Sequence, residues 1–182
     1  MLRAALSAFE ELGADKVRVQ DIAERAGMSP GHVLYYFTDR DHILMSTLML
    51  SEENLAARRD RAVEKAPDFD DAVERFTRLY LPTGPRDVRW ALWAQMIARP
   101  PTDAGERKRL LDTADGWTSC LAALIAEHRG THSSTQDCLV AADRYCRLMD
   151  GLAMEVLLAG PGRGRSWALR EATDAFPVIT RW

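Results

Sequence analysis

Between Gln20 and Phe37 the chain has room for two short helices and one sharp turn, and for little else. Ile22, Ala23 and Ala26 set small and apolar side chains on one face of a first helix. Gly27 follows, a residue that tolerates the left-handed backbone with which many helices end. Ser29 is suited to accept from the free N–H groups of a second helix, and Pro30 to occupy its first position. Val33 and Phe37 lie one turn apart and can pack back on Ile22, Ala23 and Ala26. The spacing predicts a helix-turn-helix, with one helix near Gln20–Ala26 and the other near Pro30–Phe37. Braced in this way, the second helix protrudes and can enter a major groove.

The helical period continues through the remaining chain. Leu2, Leu6, Phe9 and Leu12 predict a first helix closed by Gly13. A long helix is expected from a cap at Thr38 or Asp39 to about Val63, before Pro67. Further helices are expected over 70–80, 87–98, 104–128, 135–158 and 166–175, with breaks at Leu81–Pro85, Pro100-Pro101, Gly130–Ser134 and Gly160–Gly164. The one strand-like run, Val17-Arg18-Val19, is too short to pair. The fold class is therefore all-α, with about nine helices.

Composition excludes several classes. Over 182 residues, 47% hydrophobic and 28% charged is ordinary for a globular protein, not for a disordered chain or a disulfide scaffold. No apolar run approaches the ~20 residues of a membrane span. Cys120, Cys138 and Cys146 are an odd, scattered set and read as reduced thiols. The start, Met1 to Leu6, lacks the pattern of a secretory leader, so a cytoplasmic location is expected. His128 and His132 have ligand-like spacing, but Gly130 falls between them and no cysteine or carboxylate cluster accompanies them. With no phosphate-cradling glycine loop and no nucleophile elbow, neither catalysis, a cofactor nor a metal is expected.

The first 45 residues resemble the TetR family of bacterial transcriptional regulators nearly throughout. Leu2, Ala4, Ala5, Phe9 and Gly13 fit its first helix, and Ile22, Ala23, Ala26, Gly27, Ser29, Gly31, Tyr36 and Phe37 its helix-turn-helix. Arg40-Asp41 stands where the family has Lys-Glu. In the weaker remainder, Trp90 to Ala98, Trp117 to Ile125 and Asp150-Gly151-Leu152-Ala153 are similar to the subgroup that contains choline-responsive repressors. The resemblance implies a helix-turn-helix DNA-binding domain over 1–45 and a ligand-binding and dimerisation domain over 46–182. It implies a homodimeric repressor that binds a double-stranded operator and leaves it when a small-molecule effector binds. Leu34 departs from the pattern, standing where relatives often carry a phosphate-contacting tyrosine, and Val17-Arg18-Val19 replaces a hydroxyl-bearing start to the second helix.

Carried onto this sequence, Pro30, Gly31, His32 and Tyr35 are expected to face DNA, with Tyr35, Tyr36 and Arg40 on phosphates and Arg18 replacing the missing hydroxyl. Trp93, Met96, Trp117, Tyr145 and Met149 are the candidate ligand-pocket residues. An aromatic cage for a quaternary ammonium group, aided by Asp150 or Glu155, is a narrower version of the same idea. Leu148, Leu152 and Glu155, with Trp167 and Phe176, are expected in a four-helix dimer interface. One feature favours a different class. The first 45 residues carry five Lys/Arg against seven Asp/Glu, as in a helical dimeric ligand-binding or protein-interaction module that has lost DNA binding.

Overall fold

The computed structural model describes residues 1–130 and 134–180. His132 therefore lies outside the described residues. The described residues form nine helices: α1 (Leu2–Leu12), α2 (Val19–Ala26), α3 (Pro30–Tyr36), α4 (Arg40–Glu64), α5 (Phe69–Tyr80), α6 (Val88–Ala98), α7 (Ala104–Arg129), α8 (Thr135–Leu157) and α9 (Arg165–Ile179). Side-chain caps start several of them. Asp68, Asp87 and Ser134 each accept from a backbone N–H three residues on, opening α5, α6 and α8. The expected end of α9 at Ala175 is too early, because the helix runs through Pro177 to Ile179. Pro177 stands in the last turn, so its missing N–H leaves only one backbone bond unmade and that near the helix end, and the buried Thr180 ties the end back to the Phe176 carbonyl through both its N–H and its hydroxyl.

Two compact units divide the chain, and each draws on separated stretches. The first comprises Met1–Asn54 and Arg86–Leu110. Its core holds Phe9, Val17, Ile22 and Val33 together with Leu44, Leu48, Leu92 and Met96. Within it, α1 packs on α2 and on α6, and α2 on α3. The second unit comprises Leu55–Pro85 and the chain from Leu111 onward. Phe76, Leu81, Leu121, Ile125, Tyr145 and Met149 are fully buried there, and α9 packs along α8 and α5. Arg165 at the start of α9 donates to the carbonyls of Arg78, Leu81 and Pro82, placing a cation at the C-terminal end of α5.

Candidate nucleic-acid interface

The helix-turn-helix forms for the local reasons its sequence suggests. Asp21 accepts from the Arg18 N–H at 2.8 Å and opens α2. Ile22 and Ala23 are buried, and Arg25 pairs with Glu11 of α1 at 2.6 Å. Gly27 ends the helix at φ 65°, with the Met28 N–H returning to the Ala23 carbonyl. At the other side of the turn the Ser29 hydroxyl accepts from the His32 N–H at 3.2 Å, and Pro30 takes the first position of α3. Val33 is fully buried against the brace formed by α2.

With Val33 inward, the rest of α3 is outward. Tyr35 is 82% and Tyr36 57% exposed, and Leu34, Gly31, Pro30 and His32 are exposed too. His32 stacks on Tyr36 with ring centroids 5.4 Å apart, and Tyr35 meets Tyr36 edge-on at 5.3 Å. The three rings lie against one another and form a polar-edged ridge on the outer side of α3. Arg18 is exposed at the head of α2. Arg40 is turned inward instead: its guanidinium donates from Nε to the Val17 carbonyl at 3.0 Å and from an Nη to the Ala14 carbonyl.

The five candidate ligand residues divide between the units. Trp93 and Met96 belong to the first, and Trp117, Tyr145 and Met149 to the second. Trp93 donates through Nε1 to Glu52 at 2.7 Å, and Met96 is in the core of the first unit. Trp117 packs edge-on to Tyr80 and Phe76, with the Arg59 guanidinium 4.8 Å from its ring centre. Tyr145 is fully buried; burial pushes its hydroxyl up to about 12. Thr77 donates to the Val73 carbonyl, so the Tyr145 hydroxyl donates to Thr77 at 2.9 Å. Asp150 accepts from Tyr80 at 2.6 Å and from Arg147 at 3.1 Å. None of the five lines the cavity of about 480 Å³ in the second unit, whose walls include Val63, Phe69, Leu124, Glu64, Glu127 and His128. Of the candidate interface residues, Phe176 meets Tyr145 and Phe69 inside the second unit and Leu152 is buried, whereas Leu148 and Trp167 are half-buried and Glu155 is exposed.

Three buried charged residues, Glu52 and Arg59 on α4 and Arg89 on α6, escaped the sequence reading. Glu52 is only 3% exposed. For the two on α4 a signal was present, because Glu52 falls four residues after the core Leu48 and Arg59 seven after Glu52, so both continue the buried stripe. Among the described residues no group of three or more His, Cys, Asp or Glu is arranged to hold a metal ion, and no helix is long and apolar enough to cross a membrane.

Residues 1–46 match the family model of bacterial regulatory proteins of the tetR family, and residues 69–176 match that of the BetI-type transcriptional repressor, C-terminal. The chain belongs to the TetR family, with a BetI-type C-terminal domain. TetR proteins are transcriptional regulators, not enzymes, and this TetR-family chain is a DNA-binding regulator. The HTH-type transcriptional regulator BetI 2 of Chromohalobacter salexigens is 31% identical over 108 residues, a match spanning 55% of this chain and 52% of that protein. The BetI regulator of Paraburkholderia phytofirmans is 25% identical over 185 residues, covering 98% of this chain and 91% of its own. Among solved structures, a transcriptional regulator from Saccharomonospora viridis in complex with choline superposes with a TM-score of 0.81 at 25% identity, over 97% of this chain and 93% of that one.

Proposed function

We propose that this TetR-family regulator acts as a homodimeric repressor that grips an operator through paired α3 helices and lets go when a small-molecule effector binds its second unit. The ridge of His32, Tyr35 and Tyr36 carries the DNA part of the reading. Exposed aromatic rings on a capped, braced helix contribute nothing to the core of the first unit, and their polar edges suit phosphate and base contacts. Ligand release has support from the BetI-type match and from the choline bound in the Saccharomonospora viridis structure. For release, the effector must bind the DNA-free arrangement more tightly than the DNA-bound one, since equal affinity shifts nothing. Such a protein works where the chromosome is, in the cytoplasm.

The dimer draws on α8. Gly151, Met154, Glu155 and Leu158 are exposed along one side of that helix, an apolar stretch interrupted by one carboxylate. Pairing is also what DNA recognition requires, since one short helix reads too few base pairs and a two-fold pair reaches successive major grooves ~34 Å apart.

Tyr35→Ala is expected to weaken binding to duplexes drawn from the region upstream of the gene about tenfold, the cost of one good contact, with no change in oligomeric state. Fluorescence anisotropy against non-specific competitor reads the first quantity and sedimentation velocity the second. Unchanged affinity would mean that α3 is not the recognition helix.

A further inference from the structure

Arg40 is the first residue of α4, and its side chain turns onto the backbone of its own chain. The Nε donor meets the Val17 carbonyl at 3.0 Å and an Nη donor meets the Ala14 carbonyl. Both acceptors lie in the turn between α1 and α2, and both residues are buried. This turn already folds on itself, with the Lys16 and Val17 N–H groups on the Gly13 carbonyl. Arg40 therefore spans from the head of α4 to the segment that sets the start of α2. Nε and Nη2 form one edge of the guanidinium, the edge a phosphate would otherwise engage. A planar fork with two fixed donors fits two neighbouring carbonyls, whereas the single ammonium of lysine cannot hold both in that geometry.

We propose that Arg40 is a positioning residue of the DNA-binding unit rather than a phosphate contact: it clamps the α1–α2 turn to the first turn of α4 and so fixes the angle at which α3 meets the groove. The angle passes through α2, which the turn leads into and on which α3 packs. Loss of the clamp lets the recognition helix tilt. Contacts that depend on register are then lost, while the general attraction to phosphates remains.

The test uses the full chain and a duplex that the wild-type protein selects from a random-sequence library, so its DNA arm rests on the DNA-binding reading above. Kd for the selected duplex and for an unrelated one is measured between 50 and 200 mM salt, a range over which phosphate contacts show clearly. Arg40→Lys and Arg40→Ala are both expected to lose about tenfold or more on the selected duplex, with affinity for the unrelated duplex and the salt slope unchanged. Arg18→Ala serves as the contrast: both duplexes weaken, the slope falls by about one, and Arg18→Lys restores it. If Arg40→Lys binds like wild type while Arg40→Ala lowers the slope, Arg40 is a phosphate contact and the proposal falls. Hydrogen exchange supplies a readout free of DNA. The Lys16 and Val17 amides should exchange at least about tenfold faster in Arg40→Lys, with helix content by circular dichroism unchanged; unaltered protection overturns the clamp. Should the wild-type protein select no duplex, the DNA-binding reading fails and the exchange result alone judges the clamp.

Discussion

Gly151→Arg is expected to turn the protein into a monomer and to lower operator affinity about a thousandfold or more, towards the level of non-specific binding. The argument starts from a cost. Gly151 lies inside the helix α8, where glycine is less favourable than alanine by ~0.5–1 kcal/mol. Among the described residues nothing repays this: beyond its own stretch of helix, a Cβ built on Gly151 meets no atom within 4 Å, and its backbone does not lie in the left-handed region. A second helix lying close to this face supplies a reason, because the absence of a side chain lets two helices approach. Leu158, 77% exposed, and Met154 extend the same side. Arginine at 151 is accommodated by the single chain, whose Tm should hold or rise slightly, and it blocks the close approach. Sedimentation velocity and anisotropy on one preparation report both effects. A variant that stays dimeric removes α8 from the interface.

Glu52→Leu is expected to destabilise the fold by ~3–5 kcal/mol, the usual consequence of removing one member of a buried ion pair. For a chain of this length that lowers Tm by roughly 10 °C or more. The Glu52 carboxylate accepts from Trp93 at 2.7 Å and from Arg89 at 3.2 Å, and Arg89 sits 5.0 Å from the Trp90 ring centre. Without Glu52, a buried guanidinium and an indole N–H both lose this acceptor. The double replacement Glu52→Leu with Arg89→Met removes both charges and should recover most of the loss, since apolar isosteres of a buried pair are often neutral. Thermal unfolding of the two variants decides the matter: a double variant no more stable than Glu52→Leu would show that the pair holds no special place in the core.

The helix-turn-helix was legible because each of its signals is local. Gly27, Ser29 and Pro30 act on the backbone within a few residues, and the structure shows the left-handed turn, the cap and the first-position proline they imply. The charged side chains were harder. The local pattern assigns Arg40 to a phosphate, yet its partners Ala14 and Val17 lie far back in the chain, and no period in the sequence carries that distance. Glu52 and Arg165 pose the same difficulty, since each finds its partners through tertiary packing. Phe176 shows a different limit. Helices α8 and α9 carry apolar residues on more than one side, and helical spacing does not say which side meets its own chain. In the structure Phe176 packs on Tyr145, inside the second unit.

The split make-up of the first unit bears on how such regulators can be recombined. Leu92, Met96 and Leu110 belong to the same core as Phe9 and Leu48, though they arrive from a distant part of the chain. A chimera that transplants only the N-terminal helices onto another sensor would leave those side chains behind and open a hole in the transplanted piece. A working graft has to carry 86–110 along, which is α6 and the start of α7, or meet a replacement of the same shape. The DNA-reading head and this later segment thus share one core, so substitutions in one constrain which substitutions the other can accept.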